Sequence, residues 1–133
     1  SCILAHDMPL DIALCAHFEG DRESATEIAS YLDSLWDDGL RFDAISCSND
    51  YMAMGAIRFA RTRHISVPKD MQIIGYNNTV LTTCSYPELT SMDNKIATIS
   101  NQSVSILLEV LDGKQMPHKT VVSGEIIKRE TTR

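Results

Sequence analysis

The sequence predicts an α/β fold with an open, mainly parallel sheet. Apolar segments with strand spacing alternate with segments of helical spacing, an order typical of parallel sheets with helical crossovers. The 133 residues, 44% of them hydrophobic, are enough for one domain and few for two. A net charge of −6 disfavours binding of this chain to a nucleic-acid backbone or an anionic membrane surface. No apolar run approaches the length of about 20 residues that a membrane-spanning helix needs.

The first strand–helix unit lies near the N-terminus. Residues 12–18 form the first predicted strand, because apolar side chains alternate there with little charge on either side. Apolar residues at helical spacing then predict a helix over 22–38, with Asp21 as its N-cap and Gly39 as its C-terminal stop.

Two further strands and a second helix follow. Residues 42–47 are apolar and short enough for a buried strand. Helical spacing from Met52 onwards predicts a helix that ends near His64, and residues 71–75 form the third predicted strand.

The C-terminal half contains one long helix. A polar loop is predicted over about 76–94, followed by an amphipathic helix over 96–111 that Gly113 closes. Residues 121–127 are predicted to be the last strand, with Gly124 as a bulge. The tail, residues 128–133, is predicted to be too polar for burial.

Motifs for catalysis, cofactors and metals are missing from the sequence. It has no glycine-rich phosphate loop, no GxSxG and no HExxH, so we predict a protein that is not an enzyme and needs no cofactor. The cysteines and histidines are too scattered for a metal site or a disulfide framework. Buried or half-buried reduced thiols in a cytoplasmic protein are expected instead; the cysteines are Cys2, Cys15, Cys47 and Cys84.

Polar side chains follow the predicted parallel strands, whose carboxyl ends meet at one edge of the sheet, where ligands bind in such folds. Amides and carboxylates suit a ligand rich in hydroxyl groups. Simpler interpretations stay open, because these residues could be helix caps or could accommodate a left-handed turn. The set is Asp21, Arg22, Ser48, Asn49, Asp50, Tyr76, Asn77 and Asn78.

Five segments in order resemble one protein family. They are SNDYMAMGA (48–56), VPKD (67–70), IIGYNNT (73–79), PELTSM (87–92) and IKRETTR (127–133). Together they resemble the effector-binding domain of the lactose-repressor (LacI/GalR) family of bacterial transcription regulators. The resemblance covers essentially the whole chain.

The resemblance implies a periplasmic-binding-protein-like fold of type I, with helices on both faces of the sheet. Residues 1–133 would be the C-terminal lobe, a fragment without the DNA-binding helix-turn-helix and most of the N-terminal lobe. The helix over 93–113 would pack on that missing lobe. A small effector, a sugar or sugar phosphate, would bind in the cleft between the lobes, and DNA would be bound only through the missing N-terminal domain.

The resemblance also implies site residues. Asn49 and Asn77 match effector-contacting positions, while Asn94 and Ile96 fall where cleft residues often lie. Arg22, beside Asp21, replaces a frequent aromatic residue and could suit an anionic ligand, and Asn77 replaces the usual carboxylate. A homodimer surface would include Met52, Met54, Gly55, Arg58, Val80 and Leu81.

The predicted function is therefore that of a cytoplasmic, ligand-sensing and dimerising part of a bacterial transcriptional repressor. Two alternatives stay open. The first is a periplasmic sugar-binding receptor of a transport system, which shares the fold. The second is a small flavodoxin-like enzyme or a receiver domain, which matches only the order of strands and helices. A receiver would have an acidic cluster at its strand ends, where this chain has asparagines.

Overall fold

The structure, a computed structural model, describes residues 14–16 and 24–133. Its helices are α1 (Ala25–Asp37), α2 (Asp50–Thr62), α3 (Leu81–Cys84) and α4 (Ile96–Leu111). Its strands are β1 (Ala44–Ser46), β2 (Gln72–Tyr76), β3 (Thr90–Asp93) and β4 (Glu125–Ile127). The predicted strand over 12–18 lies mostly outside the described residues, and its described part, 14–16, is not in a strand.

The described strands form one sheet in the order β1-β2-β3-β4. The β1–β2 and β2–β3 pairs are parallel, while β4 is antiparallel to β3. In β2, Ile73 and Gly75 are buried on the side of α2, and Ile74 and Tyr76 alternate to the opposite face. The predicted α/β class and mainly parallel sheet are confirmed.

Helix α1 begins later than predicted. Its N-cap is Ser24, not Asp21: the Ser24 hydroxyl accepts a hydrogen bond from the Glu27 N–H at 3.1 Å, and Glu27 completes a capping box. Asp21 lies outside the described residues, so nothing supports its role as a cap. The predicted stop is confirmed, because Gly39 has a φ of +93° just after the helix.

The core lies between α1, α2 and the sheet. Helix α1 packs on α2, and α2 packs on β2. Trp36 contacts Phe42 and Phe59 edge to face, with ring centroids 5.4 and 5.7 Å apart, so it packs against the core. The buried apolar residues are Ile28, Ala29, Leu32, Ala53, Ala56, Ile57, Phe59, Ala60, Met71, Ile73 and Leu89.

Strand β3 lies inside the segment predicted to be a polar loop, and α3 precedes it there. The prediction was wrong because Thr90 and Ser91 are polar but fully buried. Long-range bonds satisfy them: the Thr90 N–H donates to the Thr131 hydroxyl, and the Ser91 hydroxyl donates to Asp50. A strand whose buried groups are hydroxyls lacks the hydrophobic pattern on which the prediction depended.

One residue of the C-terminal tail is buried, contrary to prediction, whereas Lys128, Glu130 and Arg133 are exposed as predicted. Thr131 is 0% exposed, and its hydroxyl donates to the Ile73 carbonyl at 2.7 Å while accepting from the Thr90 N–H at 2.8 Å. The Thr131 carbonyl accepts from the Ile73 N–H. These bonds fasten the tail to β2 and β3.

Strand β4 is shorter than the predicted 121–127, and it begins after Gly124 rather than including that residue as a bulge. A Cβ at Gly124 would meet the Asp93 carbonyl oxygen at 2.9 Å. This glycine therefore permits close approach to β3.

Helix α4 matches the predicted bounds, and Gly113 has a φ of +78° after it. None of its residues is buried. Its exposed apolar residues are Ile96, Ile99, Val104, Leu107, Leu108, Val110 and Leu111.

The cysteine prediction needs a correction. Cys15 and Cys84 are exposed, and only Cys47 of the described cysteines is partly buried; none of these three forms a disulfide among the described residues. Burial, followed by the charge of Asp50, raises the pKa of the Cys47 thiol to about 12. Cys2 lies outside the described residues.

Candidate ligand site at the carboxyl edge of the sheet

Asparagines follow the three parallel strands of the described sheet; this position was predicted for Asn49 and Asn77, whereas Asn94 lies in the segment predicted to be a loop. Asn49 lies between β1 and α2, Asn77 follows β2, and Asn94 follows β3. Because these strands run in the same direction, all three residues lie at the carboxyl edge.

Asn77 and Asn94 are in direct contact. The Asn94 side-chain nitrogen donates to the Asn77 side-chain oxygen at 2.9 Å. The other polar atom of Asn94, its Oδ1, is buried without a hydrogen-bond partner among the described residues. A buried acceptor without a partner is costly unless a donor reaches it, so this amide pair has unused capacity for a donor such as a hydroxyl group.

The backbone at Asn77 and Asn78 is left-handed, with φ values of +92° and +48°. Asparagine tolerates this region better than most residues, so the predicted turn role of both residues is confirmed. The Asn77 N–H donates to the Met92 carbonyl at 2.9 Å. The turn therefore fixes the direction in which the Asn77 side chain leaves β2.

Asn49 is the N-cap of α2. The sequence leaves a capping role open for both Asn49 and Ser48. The Asn49 side-chain oxygen accepts a hydrogen bond from the Met52 N–H at 2.8 Å. Ser48 precedes the cap, and its hydroxyl contacts the Met52 sulfur at 3.0 Å. Capping fixes the Asn49 side chain at the edge of the sheet.

Ile96 is the first residue of α4 and is exposed, two positions beyond Asn94. Arg22 and Asp21, the other predicted ligand residues, lie outside the described residues. Lys95 lies between the two cleft positions and pairs with Glu125 at 2.7 Å and with Asp93 at 3.3 Å.

The Lys95 cation is therefore neutralised by two carboxylates. The Glu125 hydrogen bond raises the pKa of Lys95, and the backbone N–H of Lys95 lowers the pKa of Asp93. This cation is poorly placed to hold an anionic ligand, so amide groups dominate the described part of the edge.

Asp50 was grouped with this edge because of its position in the sequence, but the structure buries it, at 1% exposure. One of its carboxylate oxygens accepts from the Thr79 N–H at 2.6 Å and from the Thr79 hydroxyl at 2.9 Å. The other accepts from the Ser91 hydroxyl. Sequence reasoning missed this role; the nearest signal is Gly75, where a side chain would collide with Asp50.

Arg129 is a second residue that sequence reasoning missed. Its guanidinium donates to the Asn78 side-chain oxygen and to the Leu89 carbonyl, both at 2.8 Å. The only sequence signal is its place in the segment IKRETTR. Arg129 thus connects the C-terminal tail to the turn that contains Asn77.

The residues predicted for a dimer surface differ in exposure. Val80 is 74% exposed, and Leu81 is half-buried at the start of α3. Arg58 is exposed and donates to the Thr26 hydroxyl at 2.9 Å. Met52 and Met54 are half-buried against the core.

Gly55 is buried against α1, which corrects its assignment to a subunit contact. A Cβ at this position would lie 2.6 Å from the Ile28 Cβ. The glycine is needed for the close approach of α1 and α2.

A cavity of about 450 Å³ lies beside β1, between α1 and Leu14. Its lining is largely apolar and includes Leu32, Phe42 and Ile45, but none of Asn49, Asn77 and Asn94.

The described residues contain no group of three or more His, Cys, Asp and Glu side chains that could hold a metal ion. Among the same residues, no helix is long and apolar enough to cross a membrane.

An α/β sheet with polar side chains at its carboxyl edge has a candidate ligand site where open α/β sheets bind their ligands. Residues 5–132 match the family described as periplasmic binding protein-like domain. The chain belongs to this family, in the branch of the LacI-type transcriptional regulators.

Individual relatives agree with this assignment. A helix-turn-helix-type transcriptional regulator of Lachnoclostridium phytofermentans is 38% identical over 99% of this chain, which spans 39% of that protein. The lactose operon repressor of Escherichia coli is 27% identical over 88% of the chain and 32% of the repressor. The chain thus spans less than half the length of these regulators.

Solved structures share the fold. A LacI-type transcription regulator from Bifidobacterium animalis is 27% identical with a TM-score of 0.81, over 98% of this chain and 46% of the other. A sugar-binding regulator of the LacI family from Escherichia coli, complexed with phosphate, is 25% identical with a TM-score of 0.83, over 97% and 45% of the two chains. The recognised family and fold class are confirmed.

Proposed function

We propose that this chain is the effector-binding and dimerising part of a cytoplasmic bacterial LacI-type regulator that senses a small, hydroxyl-rich molecule, a sugar or a sugar derivative. The observation that carries the proposal is the amide pair Asn77–Asn94 at the carboxyl edge, in which the buried Asn94 Oδ1 has no hydrogen-bond partner within the described part of the chain. Two amides at one edge offer donors and acceptors to hydroxyl groups. The neutralised Lys95 favours a neutral ligand over an anionic one.

The exposed face of α4 supports a second lobe. In the proposed protein, residues 1–133 form the C-terminal lobe, and α4 packs on an N-terminal lobe that the whole protein supplies. Apolar side chains such as Leu107, Leu108 and Leu111 are more than half exposed here, and contiguous apolar surface of this kind typically marks an interface.

Regulation would follow from a population shift. An effector that binds the closed pair of lobes more tightly than the open pair favours the closed state. DNA binding would occur through the helix-turn-helix of the complete protein, and the two subunits would meet through the surface around Val80 and Leu81.

The ligand proposal is tested on the complete protein by a thermal-shift screen of neutral sugars and sugar phosphates. Asn77→Ala and Asn94→Ala are expected to abolish the shift that the best ligand produces, whereas Gln115→Ala, an exposed amide remote in sequence from the edge, keeps it. Binding that survives both asparagine substitutions would refute the assignment of this edge as the site.

The dimer proposal is tested by sedimentation of the complete protein. Val80→Glu is expected to raise the dimer dissociation constant, because it places a charge in an apolar contact. Val121→Glu is the matched control, since Val121 is 71% exposed and lies far along the chain. Equal dissociation constants for the two variants would exclude Val80 from the contact.

A further inference from the structure

We propose that Asp50 is a positioning residue that couples the Asn77–Asn78 turn of the ligand site to the Val80–Leu81 segment of the dimer surface. The inference rests on the proposed function of these two regions, which the site and the comparisons do not themselves connect. Asp50 acts on these regions through Thr79 and Ser91, which both donate hydrogen bonds to its carboxylate.

The first step is the environment of the carboxylate. Asp50 is almost fully buried at the first turn of α2, and none of the ion pairs among the described residues includes it. Its oxygens are satisfied by hydroxyl and backbone donors from Thr79 and Ser91. A buried charge of this kind depends on the donors that surround it, so their positions and that of Asp50 are interdependent.

The second step is what those donors hold. The Ser91 hydroxyl, which donates to Asp50, also accepts from the Asn78 N–H at 3.1 Å. The Thr79 N–H donates directly to Asp50. Two consecutive backbone amides of the left-handed turn are therefore fixed by Asp50 and Ser91, and the side chain of Asn77 projects from the residue before them.

The third step connects the turn to the dimer surface. The Thr79 carbonyl accepts from the Thr82 N–H at 3.1 Å and from the Thr82 hydroxyl at 2.8 Å. Val80 and Leu81 lie inside this bonded span. Because Asp50 holds the N–H and hydroxyl of Thr79 while Thr82 holds its carbonyl, a displacement of the turn moves the start of α3.

The experiment uses amide NMR of the 133-residue chain and no ligand. Asn77→Asp is the perturbation, and the amide shifts of Val80, Leu81 and Thr82 are the readout. The shifts are expected in the chain with Asp50 and are lost in the Asp50→Asn background. In that background the Thr79 amide should also exchange with solvent roughly tenfold faster.

Controls separate positioning from general destabilisation. Thr131→Val loosens the buried tail but leaves Asp50 and Thr79 intact, so it should retain the transmitted shifts. Asp70→Asn, an exposed aspartate, should change nothing. If Asp50→Asn does not fold, Ser91→Ala removes one of the connections and should reduce the shifts.

Two results overturn the proposal. The first is that the transmitted shifts persist at full size in the Asp50→Asn or Ser91→Ala background. The second is that Asn77→Asp causes no such shifts in the parent chain. Neither depends on a ligand. A failed sugar screen would therefore refute the proposed function alone, and an undisturbed NMR pattern would refute the coupling alone.

Discussion

Thr131→Val tests whether the polar tail holds the sheet together. Valine has nearly the same shape as threonine, but it removes the hydroxyl that donates to the Ile73 carbonyl and accepts from the Thr90 N–H. A buried polar group that loses its partner costs about 1–3 kcal/mol, so two such groups cost about 2–6 kcal/mol of unfolding free energy. With a urea m-value of about 2 kcal/mol/M, the midpoint should fall by about 1–3 M.

The matched control is Thr131→Ser, which keeps the hydroxyl and loses only a methyl group, at a cost of about 1 kcal/mol. Urea unfolding of the 133-residue chain, followed by far-UV circular dichroism, compares the two variants. The valine variant should unfold at the lower urea concentration with an unchanged m-value. Equal midpoints would show that the hydroxyl bonds contribute nothing, and the account of the buried tail would then be wrong.

Three further predictions follow from the packing and the ionisable groups. Gly55→Ala should lower the unfolding free energy by about 1–3 kcal/mol, because its Cβ would overlap Ile28. An unchanged urea midpoint would contradict the close packing of α1 and α2. Hydrogen bonds from Arg63 lower the pKa of Asp37, so this pair stabilises the fold above the ordinary aspartate pKa of about 3.9 and loses that effect as pH falls below it. In thermal unfolding, the melting temperature of Arg63→Met should therefore fall less between about pH 4 and pH 2 than that of the parent chain. Identical pH profiles of the two chains would refute the pairing. Cys47, with a pKa raised to about 12, should resist a thiol reagent at pH 8 in the folded chain, so that Cys47→Ser leaves the native labelling unchanged and removes one equivalent only in urea.

The elements that the sequence predicted correctly are those with apolar periodicity. Helix α4 has the predicted bounds because its apolar residues repeat at helical spacing whether or not a partner covers them. Helix α1 was placed correctly but capped wrongly, since Asp21 and Ser24 both have side chains able to cap. Only the capping box with Glu27 distinguishes them.

The elements that the sequence missed are those whose burial depends on distant polar partners. Ser91 finds Asp50 across 41 residues, and Thr131 finds Ile73 across 58. No local pattern encodes such a pairing, because a threonine or serine that will be buried has the same appearance as one in a loop. The sequence pattern failed to predict strand β3 and the burial of Thr131 in the tail for this same reason.

The candidate site was predictable to the extent that topology decides it. Parallel strands end at one edge, and this argument placed Asn49 and Asn77 at the same end of the sheet, whereas Asn94 was identified only through the family resemblance because β3 was missed. The direct bond between Asn77 and Asn94 depends on the register of β2 and β3, which periodicity does not fix. The role of Asp50 depends on its burial, which the sequence does not predict because charged residues are mostly exposed.

The core and the carboxyl edge of the sheet are stabilised by different kinds of contact. The core between α1 and α2 is apolar and close-packed, and such packing resists small displacements. The edge that holds Asn77 is stabilised instead by individual hydrogen bonds: Asp50 and Ser91 accept from its backbone N–H groups, and Arg129 donates to the Asn78 side chain. A few directional bonds can be exchanged without disturbing a packed core, and regions held in this way open at lower free energy than the core. The proposed sensing function would need a ligand edge that moves on a rigid scaffold, and the difference in chemistry between the apolar core and the hydrogen-bonded edge is consistent with that proposal.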